Sequence, residues 1–528
     1  MPPLAPRYAL ALALAVSLAG ACASDDGEGG SATDSDSDST GVDEPVRLAT
    51  ADDYRPLAGA MVSFSKDPTA DGAVITIKSG DETFEGAYDG KAWVVFDGVP
   101  AGAFQLHWRN PPDPEYPGAP GYYWVVETDL RDLYTGRVYS GRPEPALATS
   151  EETRVELSVD AMTPYEYGDR FELYSYNADA LLYLDPPEDL VGEPVDFDEA
   201  IDGWQIPWST YTSRDGSSLI DPGAGDDLWL THLQISPLLD DPGYDDPWFS
   251  ASLWRLHEAA PLTLPAMIDG ATTPAQGSFV VAPEVSLVVD LRATQFSGAL
   301  AANVPNPEQV ECDVSLAREP GEDGPVYGML PTLAEISVSG AVPPDRVLEL
   351  VYGDPFPVGE EVLFTRCIHW HPVVHPATGD TKYVYAQVET DWSLAALGGA
   401  PVEPRITLVR DVMINGAPLP VDATMDGVGE TPTITFTPPA TGAADLYSVR
   451  VRTIDDTLGG DGTVAASQRT IFSYVTEGTS VTLPPGVLEP GAHYYLQVNA
   501  SIGSHLGEGR FYTYDGGYSS AVTGIFTR

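Results

Sequence analysis

The chain has 528 residues, of which 79 are acidic and 26 basic, so its formal net charge is −53. A field of this sign repels nucleic acid and anionic lipid headgroups, which excludes them as favoured partners. The length exceeds what one hydrophobic core serves, and the 51 Gly and 48 Pro punctuate short apolar runs, so we expect several β-rich units.

The first 21 residues have the pattern of an export signal, with a compact apolar stretch that ends at Leu18 and is too short to span a bilayer. Small residues then precede Cys22. The segment resembles the lipobox of bacterial lipoproteins, which implies a diacylglycerol on Cys22 and a place in the cell envelope, at the outer membrane or cell surface. Ala19 stands where that family has Leu, so cleavage after Ala23, which would release an unanchored protein, is the alternative.

Residues 22–45 are rich in Asp, Ser and Gly and contain no aromatic residue. Such a segment cannot bury enough apolar surface to fold, so it is predicted to be a disordered acidic linker. The membrane is one predicted partner, because the lipid that the lipobox resemblance implies on Cys22 would insert into it.

After residue 45 the apolar pattern alternates with period two, as in Val74–Lys78 and Tyr383–Val388, which predicts half-buried strands and an all-β fold of several β-sandwich domains in tandem. In the first unit, residues 46–163, a Val-Pro-Ala-Gly turn ending at Gly102 separates two strands. This part resembles the carboxypeptidase regulatory-like, prealbumin-type sandwich, which implies a packing or binding module without an active site.

The last unit, residues 404–528, carries a strand with Phe436 and the segment Leu488–Ala500 around Tyr494. These features resemble a fibronectin type III domain. The resemblance implies that Tyr494 packs at a strand corner and bonds to the backbone. The fibronectin type III resemblance implies no catalytic activity.

Residues 164–403 match no family pattern, and the sequence leaves open whether they form one all-β domain or two. Tryptophans are concentrated here, at positions Trp204, Trp208, Trp229, Trp248 and Trp254. An exposed row of them would stack sugars, whereas buried tryptophans would serve the core, and the core interpretation is favoured.

Two cysteines remain beyond the signal, Cys312 and Cys367. An even pair in an exported protein predicts a disulfide, and two free buried thiols are the alternative.

Three histidines follow Cys367 closely. On a strand, His369 and His371 project from the same face as Cys367, and with His375 they can ligate zinc or iron. The alternative is an edge strand and turn whose histidines are partly exposed, with Pro372 and Pro376 indicating that the strand ends there in a loop.

A cluster of carboxylates suggests calcium, which prefers oxygen ligands from loops. It comprises Asp196, Asp198, Glu199 and Asp202. A solvated acidic turn is the competing interpretation.

No catalytic motif of the hydrolase, metalloprotease or nucleotide-binding type occurs in the sequence. We therefore expect a non-enzymatic cell-surface lipoprotein that acts in adhesion, ligand binding or envelope structure, without a cofactor unless calcium is bound. Surface proteins or polysaccharide are the expected partners, and nucleic acid is not. The alternative is a secreted carbohydrate-binding protein or hydrolase with its site in residues 164–403.

Overall fold

A computed structural model gives the fold, and the protein is all-β as predicted. The structure describes residues 44–56, 62–65, 67–70, 72–112, 121–135, 138–143, 145–166, 168–184, 200–209, 217–237, 250–319, 330–340, 344–356, 359–455, 457–458, 464–465, 468–504 and 514–528.

The strands are numbered in chain order. Those of the first third are β1 (Val46–Ala49), β2 (Ala51–Arg55), β3 (Val62–Ser65), β4 (Val74–Ser79), β5 (Glu82–Glu85), β6 (Ala87–Tyr88), β7 (Trp93–Phe96), β8 (Phe104–Arg109), β9 (Tyr123–Thr128), β10 (Asp132–Tyr134), β11 (Val138–Ser140), β12 (Leu147–Ala148) and β13 (Arg154–Asp160). Those of the middle are β14 (Arg170–Ser175), β15 (Ala180–Leu184), β16 (Ala200–Pro207), β17 (Ser217–Ser218), β18 (Trp229–Pro237), β19 (Ser250–Pro261), β20 (Thr272–Ser278), β21 (Val280–Val281), β22 (Glu284–Leu291), β23 (Gln309–Glu319), β24 (Thr332–Ser339), β25 (Arg346–Gly353), β26 (Glu360–Val374) and β27 (Thr381–Ser393). Those of the last part are β28 (Arg410–Ile414), β29 (Ala417–Pro418), β30 (Thr424–Met425), β31 (Thr433–Thr437), β32 (Leu446–Thr453), β33 (Thr457–Leu458), β34 (Val464–Ala465), β35 (Thr470–Thr476), β36 (Ser480–Thr482), β37 (His493–Ser504), β38 (Tyr514–Val522) and β39 (Ile525–Thr527).

Helical structure among these residues is short: α1 (Ala293–Ala301), α2 (Leu394–Leu397) and one 3₁₀ turn (Pro222–Ala224). Within the described ranges, no helix has the length and apolar composition needed to cross a bilayer.

One hydrogen-bonded path of strands runs through all three units that the sequence suggests. Its order is β15, β14, β18, β19, β24, β23, β26, β27, β38, β37, β32, β35, β9, β8, β4 and β5. The first unit joins the last through the parallel pairing of β9 with β35, in which Tyr123 lies opposite Phe472. The units are therefore linked by backbone hydrogen bonds as well as by sequence.

Three clusters of buried apolar side chains form the core. The first unit's cluster runs from Val46 to Leu133 and also contains Leu446 and Val475 of the last unit. Strand β13, which the sequence grouping assigned to the first unit, pairs instead with β16 and β20. Its apolar side chains lie in a second cluster that continues to Phe279. The third and largest cluster supports the remainder of the sheet.

The two strands around the Val-Pro-Ala-Gly turn enter different sheets. β7 pairs with β1 and β6, whereas β8 pairs with β4 and β9. Gly102 in this turn has φ +105°, a conformation that side chains disfavour. The turn thus carries the chain from one layer of the first unit to the other.

In the last unit, the amide of Glu489 donates to the hydroxyl of Tyr494 at 2.9 Å. Phe436 is buried in the same cluster as Tyr494. These contacts have the form that the fibronectin type III resemblance implies, and the family itself stays a prediction.

Candidate functional site

The three histidines predicted as metal ligands do not share a site. Strand β26 continues through Pro372 and ends at Val374, before Pro376, so the predicted end of the strand is wrong for Pro372 only. His369 and His371 lie on its buried side, not in a partly exposed loop, and all three histidines are at most 8% exposed. Each has a different set of partners.

His369 fastens α1 to the sheet. Its Nδ1 lies 3.2 Å from the carbonyl oxygen of Val304, and its Nε2 lies 2.9 Å from the hydroxyl of Ser297. Burial lowers the pKa of His369, although the bond to Val304 partly opposes this shift. The ring is therefore neutral and structural near pH 7.

His371 reaches the last unit, where its Nε2 lies 2.9 Å from Oδ1 of Asp422. Asp422 is largely exposed, and the Nδ1 of His371 is buried without a hydrogen-bond partner among the described residues. This pair crosses between two units, and among the described residues no third potential ligand joins it.

His375 begins the turn between β26 and β27, a turn closed by two bonds. Its amide donates to the Asp380 carbonyl at 2.8 Å, and the Gly379 amide donates to the His375 carbonyl at 2.9 Å. The side chain points to the last unit, and its Nε2 lies 2.7 Å from Oδ1 of Asp455.

Asp455 follows β32, and His493 opens β37, the strand paired with β32. Nδ1 of His493 lies 3.0 Å from Oδ1 of Asp455, and the His493 amide donates to Oδ2 at 2.9 Å. The carboxylate thus sits between two imidazoles. His375, Asp455 and His493 can each offer one ligand atom, and these atoms lie within 4.8 Å of one another. We call these three residues the open cluster.

The hydrogen bonds of the open cluster determine the charge of Asp455 and the position of the ring proton of His375. Burial alone would raise the pKa of Asp455, but the bonds from His493 and His375 outweigh it and lower that pKa, so the carboxylate is ionised. The amides of Ala377 and Thr378 each donate to Nδ1 of His375 at 3.2 Å. Nδ1 of His375 therefore accepts hydrogen bonds, and Nε2 carries a proton that it donates to Asp455.

The open cluster borders a shallow cleft of about 510 Å³. Its wall is completed by Ala377, Thr378, Pro490, Gly491 and Ala492. Small side chains and a glycine line the cleft, where the side chains of Asp455 and His493 are 34% and 14% exposed and that of His375 is 6% exposed. A ligand or a water molecule can therefore approach Asp455 directly.

No local pattern in the sequence indicates the second cluster, which is buried. His232 on β18 places Nδ1 2.9 Å from Oε1 of Glu258 and Nε2 3.0 Å from Oδ2 of Asp169. The side chains of all three are at most 1% exposed. We call these three residues the closed cluster.

Every carboxylate oxygen of the closed cluster is bonded. The amide and hydroxyl of Thr163 donate to Glu258, and the amides of Glu166 and Ile235 donate to Asp169. Burial alone would lower the pKa of His232, but the bonds to both carboxylates raise it. A cation between two anions therefore ties the segment before β14 to strands β18 and β19.

Of the predicted calcium ligands, Asp196, Asp198 and Glu199 lie outside the described residues, as does Cys22. Asp202 is exposed on β16, with the hydroxyl of Ser158 3.4 Å from its Oδ1. The described part of the chain therefore leaves the calcium prediction untested.

The tryptophans of the middle region pack against the core clusters at four of the five positions: Trp204, Trp208, Trp229 and Trp254. Trp208 donates from its indole to the Ser218 carbonyl at 2.8 Å, and Trp254 donates to the Gly168 carbonyl at 3.0 Å. Their nitrogens are used within the protein, in keeping with the core interpretation. Trp248 lies outside the described residues.

Cys312 and Cys367 lie opposite each other on the paired strands β23 and β26, and their sulfur atoms are joined at 2.15 Å. This is the pairing that the sequence predicts. The disulfide joins two neighbouring strands near the middle of the long sheet path. One of them, β26, leads to His375.

No protein-family model matches the chain, and neither does any curated protein sequence. The resemblances to lipoproteins, to the carboxypeptidase regulatory-like sandwich and to fibronectin type III therefore stay predictions.

Proposed function

We propose that this chain is an exported, lipid-anchored and non-enzymatic protein of the bacterial surface, which acts in adhesion, ligand binding or envelope structure. The observation that carries the proposal is the strand path through all three units. Because β9 of the first unit pairs directly with β35 of the last, the body is suited to hold the binding surfaces of its units in a fixed arrangement relative to one another.

The cross-strand disulfide supports export, since disulfides persist in oxidising compartments and are rare in the bacterial cytosol. Peptide mapping of the non-reduced protein, purified from its native envelope, is expected to recover Cys312 and Cys367 in one linked peptide. Two alkylatable thiols would contradict both the pairing and this support for export.

The anchor is tested by Cys22→Ala, with Cys312→Ser as a matched cysteine control. Metabolic labelling with a fatty acid should mark the wild type and the control, and Cys22→Ala should lose both the label and the membrane association. A mature N-terminus at Ser24 in the wild type would refute the anchor.

The surface role is tested in intact cells. Antibody against the body should label wild-type cells, and deletion of the chain should weaken surface attachment or envelope integrity. The Cys22→Ala strain should show the same defect, because its protein is no longer displayed. A deletion strain with unchanged attachment and detergent resistance would contradict the proposal.

A secreted hydrolase or carbohydrate-binding protein is the second candidate, and the open cluster is the observation that favours it. Ionisable groups gathered in a cleft are typical of active sites. The cleft lies between the β26–β27 turn and the last unit, whereas the site expected from the sequence for this candidate lies within residues 164–403. Hydrolysis of ester, peptide or glycoside substrates that is lost in His493→Ala would favour this candidate over the first.

A further inference from the structure

We propose that His375, Asp455 and His493 form a site for a divalent transition metal of the zinc class. The three side chains come from two regions far apart in sequence, with a separation of 80 positions from His375 to Asp455. They nevertheless bring their ligand atoms within 4.8 Å of one another at an accessible cleft. The proposal does not depend on the lipid anchor.

The donor set selects the class of metal. Two imidazoles and one carboxylate suit zinc, iron, cobalt or nickel, whereas calcium and magnesium prefer a shell of oxygen atoms. Three protein ligands leave one tetrahedral position for water or a bound molecule, and the cleft lies on that open side.

Metal binding needs a rearrangement of side chains, because the ligand atoms now lie within 4.8 Å of one another and must all reach the spacing of a tetrahedral zinc site. Around zinc with bonds of 2.0–2.1 Å, neighbouring tetrahedral ligand atoms are about 3.3 Å apart. In the structure the two nitrogen–oxygen separations are 2.7 and 3.0 Å. A few tenths of an ångström of side-chain rotation would open them.

The backbone around the ligands is already fixed. The amide of Asp455 donates to the hydroxyl of Thr453 at 3.1 Å, and the amide of Ile454 donates to the carbonyl of His493 at 3.1 Å. His375 is held by its closed turn. Binding would therefore order few additional groups, which reduces its entropic cost.

His375 also sets a limit on affinity. Coordination through Nε2 moves the ring proton to Nδ1, where it opposes the amides of Ala377 and Thr378 that now donate to that atom. The metal is therefore expected to exchange and to be removable by a chelator, as in a site with an open coordination position.

The test uses the full-length chain, freed of metal with a chelator and then titrated with Zn²⁺ and with Co²⁺ in the presence of excess Ca²⁺. The excess Ca²⁺ occupies the many surface carboxylates. We expect one equivalent of Zn²⁺ by calorimetry and a visible Co²⁺ spectrum of tetrahedral intensity. His375→Ala, His493→Ala and Asp455→Asn should each weaken Zn²⁺ binding at least about tenfold, because the first two remove a ligand and the third removes the negative charge of one.

His257→Ala is the matched control, since His257 is half-buried outside the cluster, and it should keep full affinity. Circular dichroism and the thermal midpoint identify any variant that fails to fold, and Asp455→Asn is the mildest of the three changes. Absence of saturable binding would overturn the proposal. So would a Co²⁺ spectrum that persists unchanged in folded His375→Ala and His493→Ala.

Discussion

The closed and open clusters are built from the same kinds of side chain in inverted proportion. In the closed cluster one imidazole lies between two carboxylates, and all three side chains are at most 1% exposed. In the open cluster one carboxylate lies between two imidazoles, and Asp455 is 34% exposed. The first has all its polar atoms bonded within the protein and is suited to stability, while the second faces a cleft and is suited to binding.

The largest expected effect tests the closed cluster. His232→Ala leaves Asp169 and Glu258 buried without their cation, which should cost about 3–5 kcal/mol of unfolding free energy. Urea unfolding followed by tryptophan fluorescence measures the loss. His257→Ala is the control, expected to change stability by about 0.5 kcal/mol or less. A loss in His232→Ala no larger than in the control would mean that the closed cluster is not stabilising.

His369 provides an intermediate case, a buried histidine without any carboxylate. His369→Ala removes two hydrogen bonds, leaves the Val304 carbonyl unpaired and opens a cavity under α1, so we expect a loss of about 2–3 kcal/mol. A partly exposed histidine in a loop, the alternative that the sequence leaves open, would lose almost no stability. The same urea titration distinguishes the two expectations.

The charge on His232 gives the closed cluster a distinct pH dependence. Its pKa is raised in the folded protein, so its stabilisation is complete below the unfolded value of about 6.5 and declines as the pH rises through the folded value. Glu258, whose pKa is lowered despite its burial, loses its contribution only on the acid side, below its unfolded pKa of about 4.3.

The measurement is the stability difference between wild type and His232→Gln across pH 6–9. It should be largest near pH 6 and shrink as the pH rises. His369 serves as the opposite control, because its lowered pKa means that its contribution falls as the pH drops below about 6.5. A difference for His232→Gln that does not change with pH would show that the ring is neutral.

The local pattern of the sequence was enough for the fold class, because period-two alternation depends only on near neighbours. The cysteine count was enough to predict the disulfide, since Cys312 and Cys367 are the two cysteines that follow the signal. Neither was enough to predict which residues form the closed and open clusters. His232 meets Asp169 across 63 residues and Glu258 across 26, and no local pattern reports such contacts.

The open cluster also depends on contacts between segments that are distant in sequence. His375 was selected because it follows His369 and His371, yet its partners come from Asp455 and His493 in the last unit. His493 lies inside the segment that suggests the Tyr494 corner. The pattern of that segment indicates a strand and does not mark His493 as a ligand. Only the pairing of β32 with β37 and the position of the β26–β27 turn bring the three residues together.

The smallest expected effect completes the comparison. Asp455→Asn keeps the size of the side chain but removes the charge that accepts hydrogen bonds from both imidazoles. Because the cluster borders solvent, water can replace these bonds, and the stability loss should be about 1 kcal/mol or less. The change is matched to His232→Gln, which also places a neutral amide in a histidine–carboxylate cluster. Urea titrations of both variants at pH 6 should show the closed cluster losing several times more. If Asp455→Asn cost as much as His232→Gln, the open cluster would be a structural clamp between the β26–β27 turn and the last unit, and the division between a stabilising and a binding cluster would fail.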